Sequence, residues 1–97
     1  MARPQATATL LVEDETVRVT RFDFAPGAET GWHRHGMDYV ITAITECRML
    51  LEEPGGGTRE VVVPAGEAYK RAAGVEHNVV NRGPAPMRFI EIELKPW

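Results

Sequence analysis

At 97 residues the chain has room for one hydrophobic core and no second domain. Its 43% hydrophobic and 26% charged residues suit a globular fold and exclude a disordered one, and a net charge of −3 offers no basic face for nucleic acid. A single cysteine, Cys47, excludes an intramolecular disulfide; with no signal peptide and no long apolar stretch, the chain is expected to be cytoplasmic and to have no membrane partner.

Residues 1–6 read as a loose tail on a single domain spanning 1–97. Residues 7–12 are β-branched and apolar enough for a first strand. Residues 18–24 alternate, but their apolar members pass from odd to even positions midway. A bulge there would account for the switch, since a one-residue slip reverses the faces. Ala25-Pro26-Gly27 turns the chain.

Residues 38–45 and 48–52 form two further apolar runs, read as extended. The first is apolar on both faces from Tyr39 to Ile44, as a strand covered on two sides would be. A homodimer with Tyr39 or Ile41 at the contact is expected. Residues 54–57, Pro-Gly-Gly-Gly, form a loop between that strand and the next, 58–63. After the turn Pro64-Ala65-Gly66 come strands at 67–71 and 76–81. The run Gly83-Pro84-Ala85-Pro86 then precedes the last strand, 88–94, where Ile90, Ile92 and Leu94 alternate with Glu91, Glu93 and Lys95. No segment repeats apolar residues at helical spacing, so short strands between regular turns predict an all-β sandwich or barrel.

All three histidines fall in two short segments. On an extended strand His33 and His35 share a face and present two imidazoles side by side. The segment 66–81 can bring His77 to them from a distant strand. A His-x-His pair is weak evidence alone, a lone His77 is more often a surface or hydrogen-bonded histidine, and Trp32 and Tyr39 have an ordinary reading as core aromatics. Turn glycines at matching offsets strengthen the metal reading.

These residues resemble the two motifs of the cupin superfamily. Gly27, His33 and His35 match the first motif; Gly66, Gly74, His77 and Asn81 match the second, with Ala72 where a proline usually stands. More narrowly, the run from Asp23 to His35, with Asp38-Tyr39-Val40 and Gly74-Val75-Glu76-His77-Asn78, is similar to short cupins called beta-alanine degradation proteins. The resemblance implies a cupin-type double-stranded β-helix, a jelly-roll barrel. It also implies a divalent transition metal on His33, His35 and His77, a place near β-alanine catabolism, and a homodimer.

The motif's glutamate is missing: Tyr39 or Val40 stands in its place, and Cys47 stands where the closing glycine would be. Asp38 is the nearest carboxylate. Either it reaches the ion across a bend, or the site is a three-histidine face with open positions; Asp38 follows His35 too closely, so the second is preferred. Open positions are the mark of a catalytic site. Imidazole does not choose among metals, so iron, zinc, nickel or manganese is expected. Three-histidine cupins include ferrous oxygenases, which the resemblance brings into view.

Asp38, Tyr39, Tyr69, Arg71 and Glu76 flank the ligands and are candidate pocket or supporting groups. An arginine can pair a substrate carboxylate in bidentate fashion. The expected function is a metalloenzyme acting on a small carboxylate or amino-acid-derived metabolite. The alternative is a non-catalytic small-molecule-binding module. A degenerate partner subunit fits poorly with three retained histidines.

Overall fold

The structure, a computed structural model, describes residues 2–96; Met1, part of the expected tail, and Trp97 lie outside the described residues. Among the described residues nine strands run in chain order: β1 Thr7–Glu13, β2 Val17–Phe24, β3 His33–Arg34, β4 Asp38–Ala43, β5 Cys47–Glu52, β6 Thr58–Val63, β7 Ala68–Arg71, β8 Glu76–Asn81 and β9 Met87–Leu94. They form two antiparallel sheets, ordered β1-β2-β9-β4-β7 and β3-β8-β5-β6, in the expected jelly-roll arrangement. The only helical piece among the described residues is a 3-10 turn at Pro54–Gly56, inside the expected glycine loop.

Alternation decides what lies between the sheets. Tyr39, Ile41 and Ala43 of β4 and Cys47, Met49 and Leu51 of β5 are buried. Phe24 and Phe89 are buried beside half-buried Phe22, and Phe89 lies 5.4 Å, ring centre to centre, from each of the other two. Burial of each such side chain contributes about 1.5–3 kcal/mol.

The outward face of the five-stranded sheet is also apolar. Cross-strand pairing sets Val12, Val19, Ile92 and Val40 in one row across four strands, with Val17 opposite Leu94 beside it. This explains the two-sided pattern of β4 and corrects the expected contact residues. Tyr39 and Ile41 point inward and are 1% and 3% exposed; Val40 and Thr42 are their outward neighbours.

The bulge also lies elsewhere. All eight residues of β2 pair in register with β9, and the register shift falls in β1, between Leu10 and Val12. The odd-to-even switch along β2 comes from its two apolar faces: Val17 and Val19 pair into the outward row, whereas Phe22 and Phe24 pack in the core.

The expected tail is not loose over its described part. Ala6 N donates to Glu29 O at 2.8 Å, Glu29 N to Pro4 O at 2.9 Å, and Arg3 grips Glu52 with two hydrogen bonds. A short extended segment can satisfy its backbone groups only by pairing, and Glu29 offers the partner.

Candidate metal centre

The strand that carries His33 and leads into His35 is only two residues long, so other contacts hold it. His33 stands directly across from His77 in the β3–β8 ladder. Before it, Thr30 N donates to Val79 O at 2.9 Å and Gly31 N to the Asn78 side-chain oxygen at 2.9 Å. After it, His35 N donates to Val75 O and Gly74 N to His35 O, both at 2.8 Å. Gly74 makes its bond at φ +102°, a conformation an L side chain would strain. His35 therefore lies just past the strand, yet its ring still points inward.

The three imidazoles meet at one edge. Nε2 of His35 lies 3.0 Å from Nε2 of His33 and 3.1 Å from Nε2 of His77. Nδ1 of His33 donates to Gly31 O at 2.8 Å, which leaves its Nε2 as a lone pair aimed at the other two rings. A proton on His35 Nε2 makes one good hydrogen bond, not two. Lone pairs so converged suit a shared cation. The Nδ1 atom of His77 is buried with no partner, as are the Tyr39 hydroxyl and one terminal nitrogen of Arg71.

Electrostatics favours the neutral, ligating form. Burial, then His33 and Arg71, lowers His35 to about 4; burial, then His33, His35 and Arg71, lowers His77 to about 3. Tyr39 stacks on His35, centroids 3.8 Å apart, and burial raises its phenol, so it is a wall and not an anionic ligand. Burial, then Tyr39, pushes Tyr69 up to about 12.

Two spaces adjoin the rings. An enclosed cavity of about 20 Å³ lies among the three histidines, Tyr39, Tyr69, Met49 and Glu91. That is enough for one water or one ion. A chamber of about 300 Å³ lies against His33 and His35, with Phe22, Thr30, Arg34, Glu91 and Glu93 as its other walls. A larger hollow of about 370 Å³, by Phe24, Pro86 and Arg88, touches none of the histidines and has no part in the site.

The other expected site residues divide. Tyr39 and Tyr69 line the inner cavity. Arg71, across from Tyr39 on β7, is half-buried beside it. Asp38 is exposed, and its carboxylate accepts from Ala73 N at 2.9 Å, which makes it a loop anchor. Glu76 is exposed one position before buried His77, so alternation turns it away from the site. Trp32 is 56% exposed and is no core aromatic.

Sequence reasoning missed Glu91 and Glu93. Glu91 is 8% exposed, and burial, reinforced by Glu93 and opposed by Arg18, pushes it up to about 7. Its Oε2 lies 4.0 Å from Nδ1 of His35. That is too long for a hydrogen bond, and since burial discourages charge on both groups the contact is not an ion pair. The available signal was that Met87 and Phe89 share the phase of the two glutamates.

Comparison with known proteins agrees with this architecture. A family profile described as "Cupin domain" matches residues 20–93. The beta-alanine degradation protein BauB of Pseudomonas aeruginosa is 52% identical over 93 residues, covering 96% of this chain and 97% of that protein. A cupin domain from Bordetella pertussis Tohama I superposes with a TM-score of 0.94 at 46% identity, over 99% of each chain. The polyketide cyclase RemF of Streptomyces resistomycificus superposes with a TM-score of 0.72 at 25% identity, over 97% of this chain and 70% of that one.

Proposed function

Since this chain belongs to the cupin family, we propose that it is a metal-binding cupin, with His33, His35 and His77 holding one divalent transition metal, and that it acts as a metalloenzyme on a small metabolite connected with β-alanine. The carrying observation is the convergence of three Nε2 atoms, 3.0 and 3.1 Å apart in succession, with the far side of His33 already engaged by Gly31. The donor set fits: three neutral imidazoles, no cysteine among them, and an inner cavity of about 20 Å³ beside them. Bound there, the ion would supply Lewis-acid polarisation or, for a redox-active metal, oxygen chemistry.

The chain's own residues supply the rest. Gly31 orients His33, Tyr39 holds the ring of His35 by stacking, and Phe22 and Thr30 shape the chamber. The fold alone assigns no reaction, since it carries many. The β-alanine connection rests on what the Pseudomonas relative is called.

The test uses protein purified without a nickel column, stripped with chelator and reconstituted. One equivalent of metal is expected in the wild type and under about a tenth of that in His77→Ala, which keeps its thermal transition because an open site adds less to folding than a closed one. Full occupancy in the variant refutes the assignment. Oxygen consumption and product analysis with β-alanine-pathway metabolites then separate an enzyme from a binding module.

We also infer that the outward row Val12, Val19, Ile92 and Val40 packs against the same row of a second copy, since a continuous apolar face is the usual mark of an interface. Ile92→Arg is expected to turn dimers into single chains by light scattering at micromolar concentration. A wild type that is already monomeric there refutes this.

A further inference from the structure

We propose that the chamber beside the histidines receives a small molecule through a primary ammonium group seated between Glu91 and Glu93. The inference rests on the metal-centre reading above only for what the other end of that molecule faces.

Strand β9 sends both glutamates to the same face, opposite Ile41 and Tyr39 of β4. Each lines the chamber. Their carboxylate oxygens and a ring nitrogen of His35 lie within 4.8 Å of one another. Side-chain exposure is 11% for Glu91 and 13% for Glu93, so both are mostly withdrawn from bulk water while their carboxyl groups border a chamber open on one side.

Among the described residues, countercharge for the pair is sparse: Arg34 lines the chamber but is exposed. Arg18 Nη1 stands 3.8 Å from Glu93, but the same guanidinium is 42% exposed and lies 3.0 Å from Glu13. Glu91 has one partner among the described residues, the neutral His35 at 4.0 Å. Two carboxyl groups held together with so little compensation, Glu91 holding back its proton as a result, destabilise a barrel wall that an apolar pair would fill more favourably. An ammonium group between them would make charge-assisted hydrogen bonds to both.

The remaining walls agree with that orientation. Phe22 and Thr30 suit a short alkyl stem, and His33 and His35 mark the side facing the metal centre. Arg34 is exposed, so a ligand carboxylate is tolerated near it but not beside the glutamates. About 300 Å³ leaves ample room for a small amine with its solvating water.

The test is calorimetric titration of protein of measured metal content with β-alanine, propylamine and propionate. Both amines are expected to bind at least about tenfold more tightly than propionate. Glu93→Gln is expected to weaken the amines by about tenfold with metal content unchanged, and Glu91→Gln, which also borders the inner cavity, is expected to weaken them by about tenfold when compared at measured metal content. Propionate binding as tightly as the amines, no binding by any of the three at tens of millimolar, or amine affinity indifferent to both variants overturns the proposal. So does a second metal ion held by His35, Glu91 and Glu93 that the amines do not displace. The wild-type series stands even if a variant fails to fold. A preparation that takes up no metal counts against the three-histidine site, and the same series on that preparation decides the ammonium proposal by the same criteria.

Discussion

Acidifying the metal-free protein from pH 7 to pH 4.5 sets three buried groups against one another. His35 and His77 sit at about 4 and about 3 in the fold, against 6.5 for an unperturbed histidine. Between those values the unfolded chain binds protons that the native state refuses. Their contribution to stability is therefore complete above 6.5 and lost as pH falls. By pH 4.5 each has cost about 2–3 kcal/mol. Glu91 works the other way: at about 7 in the fold against 4.5 unperturbed, it keeps a proton that the unfolded chain releases. Its contribution is present below 4.5 and lost as pH rises through 7, so acidification returns about 2–3 kcal/mol. The net loss is about 2 kcal/mol, with maximal stability between about pH 6 and 7. Glu13, Asp23 and Glu52, held down by basic partners or hydrogen bonds, lose their contributions only below this window. Urea melts with chelator present, at several pH values and constant m, measure the difference. Glu91→Gln removes the offset and is expected to deepen the acid loss to about 5 kcal/mol. Stability that is level or rising from pH 7 to pH 4.5 in the wild type would refute the reasoning.

Asn81 is 2% exposed; its amide donates to the carbonyls of Phe24, Ala25 and Ala85 and its oxygen accepts from Gly83 N. Asn81→Ala is expected to cost about 3 kcal/mol in a urea melt, and a loss under about 1 kcal/mol would contradict that role. Asp38→Asn is expected to leave metal content and chelator competition unchanged and to shift stability by less than about 1 kcal/mol; a loss of metal affinity beyond about a hundredfold, comparable to losing a histidine, would make Asp38 a ligand instead.

Period-two alternation made most strands legible, because one face of each is buried. The histidine trio was legible for the same reason, once turn glycines set the spacing between its two segments. Alternation misled where both faces are apolar. In β9 the isoleucines look like core and the glutamates like surface, yet Glu91 is buried and Ile90 and Ile92 are only half-buried. The phase of a strand depends on its neighbours' registers, which lie far away in sequence. The β1 bulge was hidden similarly, since Leu10, Leu11 and Val12 are apolar in either register and all are exposed. The fate of Asp38 turned on one backbone donor, Ala73, that arrives from another part of the chain.

The direct pairing of His33 with His77 also has a mechanical side. A cation gripped by both rings would be a reversible staple between chain positions about 45 residues apart, and because it binds the folded form it would stabilise that form by an amount set by its affinity and free concentration. Strand β3, two residues long, has the least pairing of its own and gains most from that staple. Stripping the ion should therefore loosen the segment from Glu29 to His35 before the rest of the barrel, making it the first place where amide protons exchange and a protease cuts.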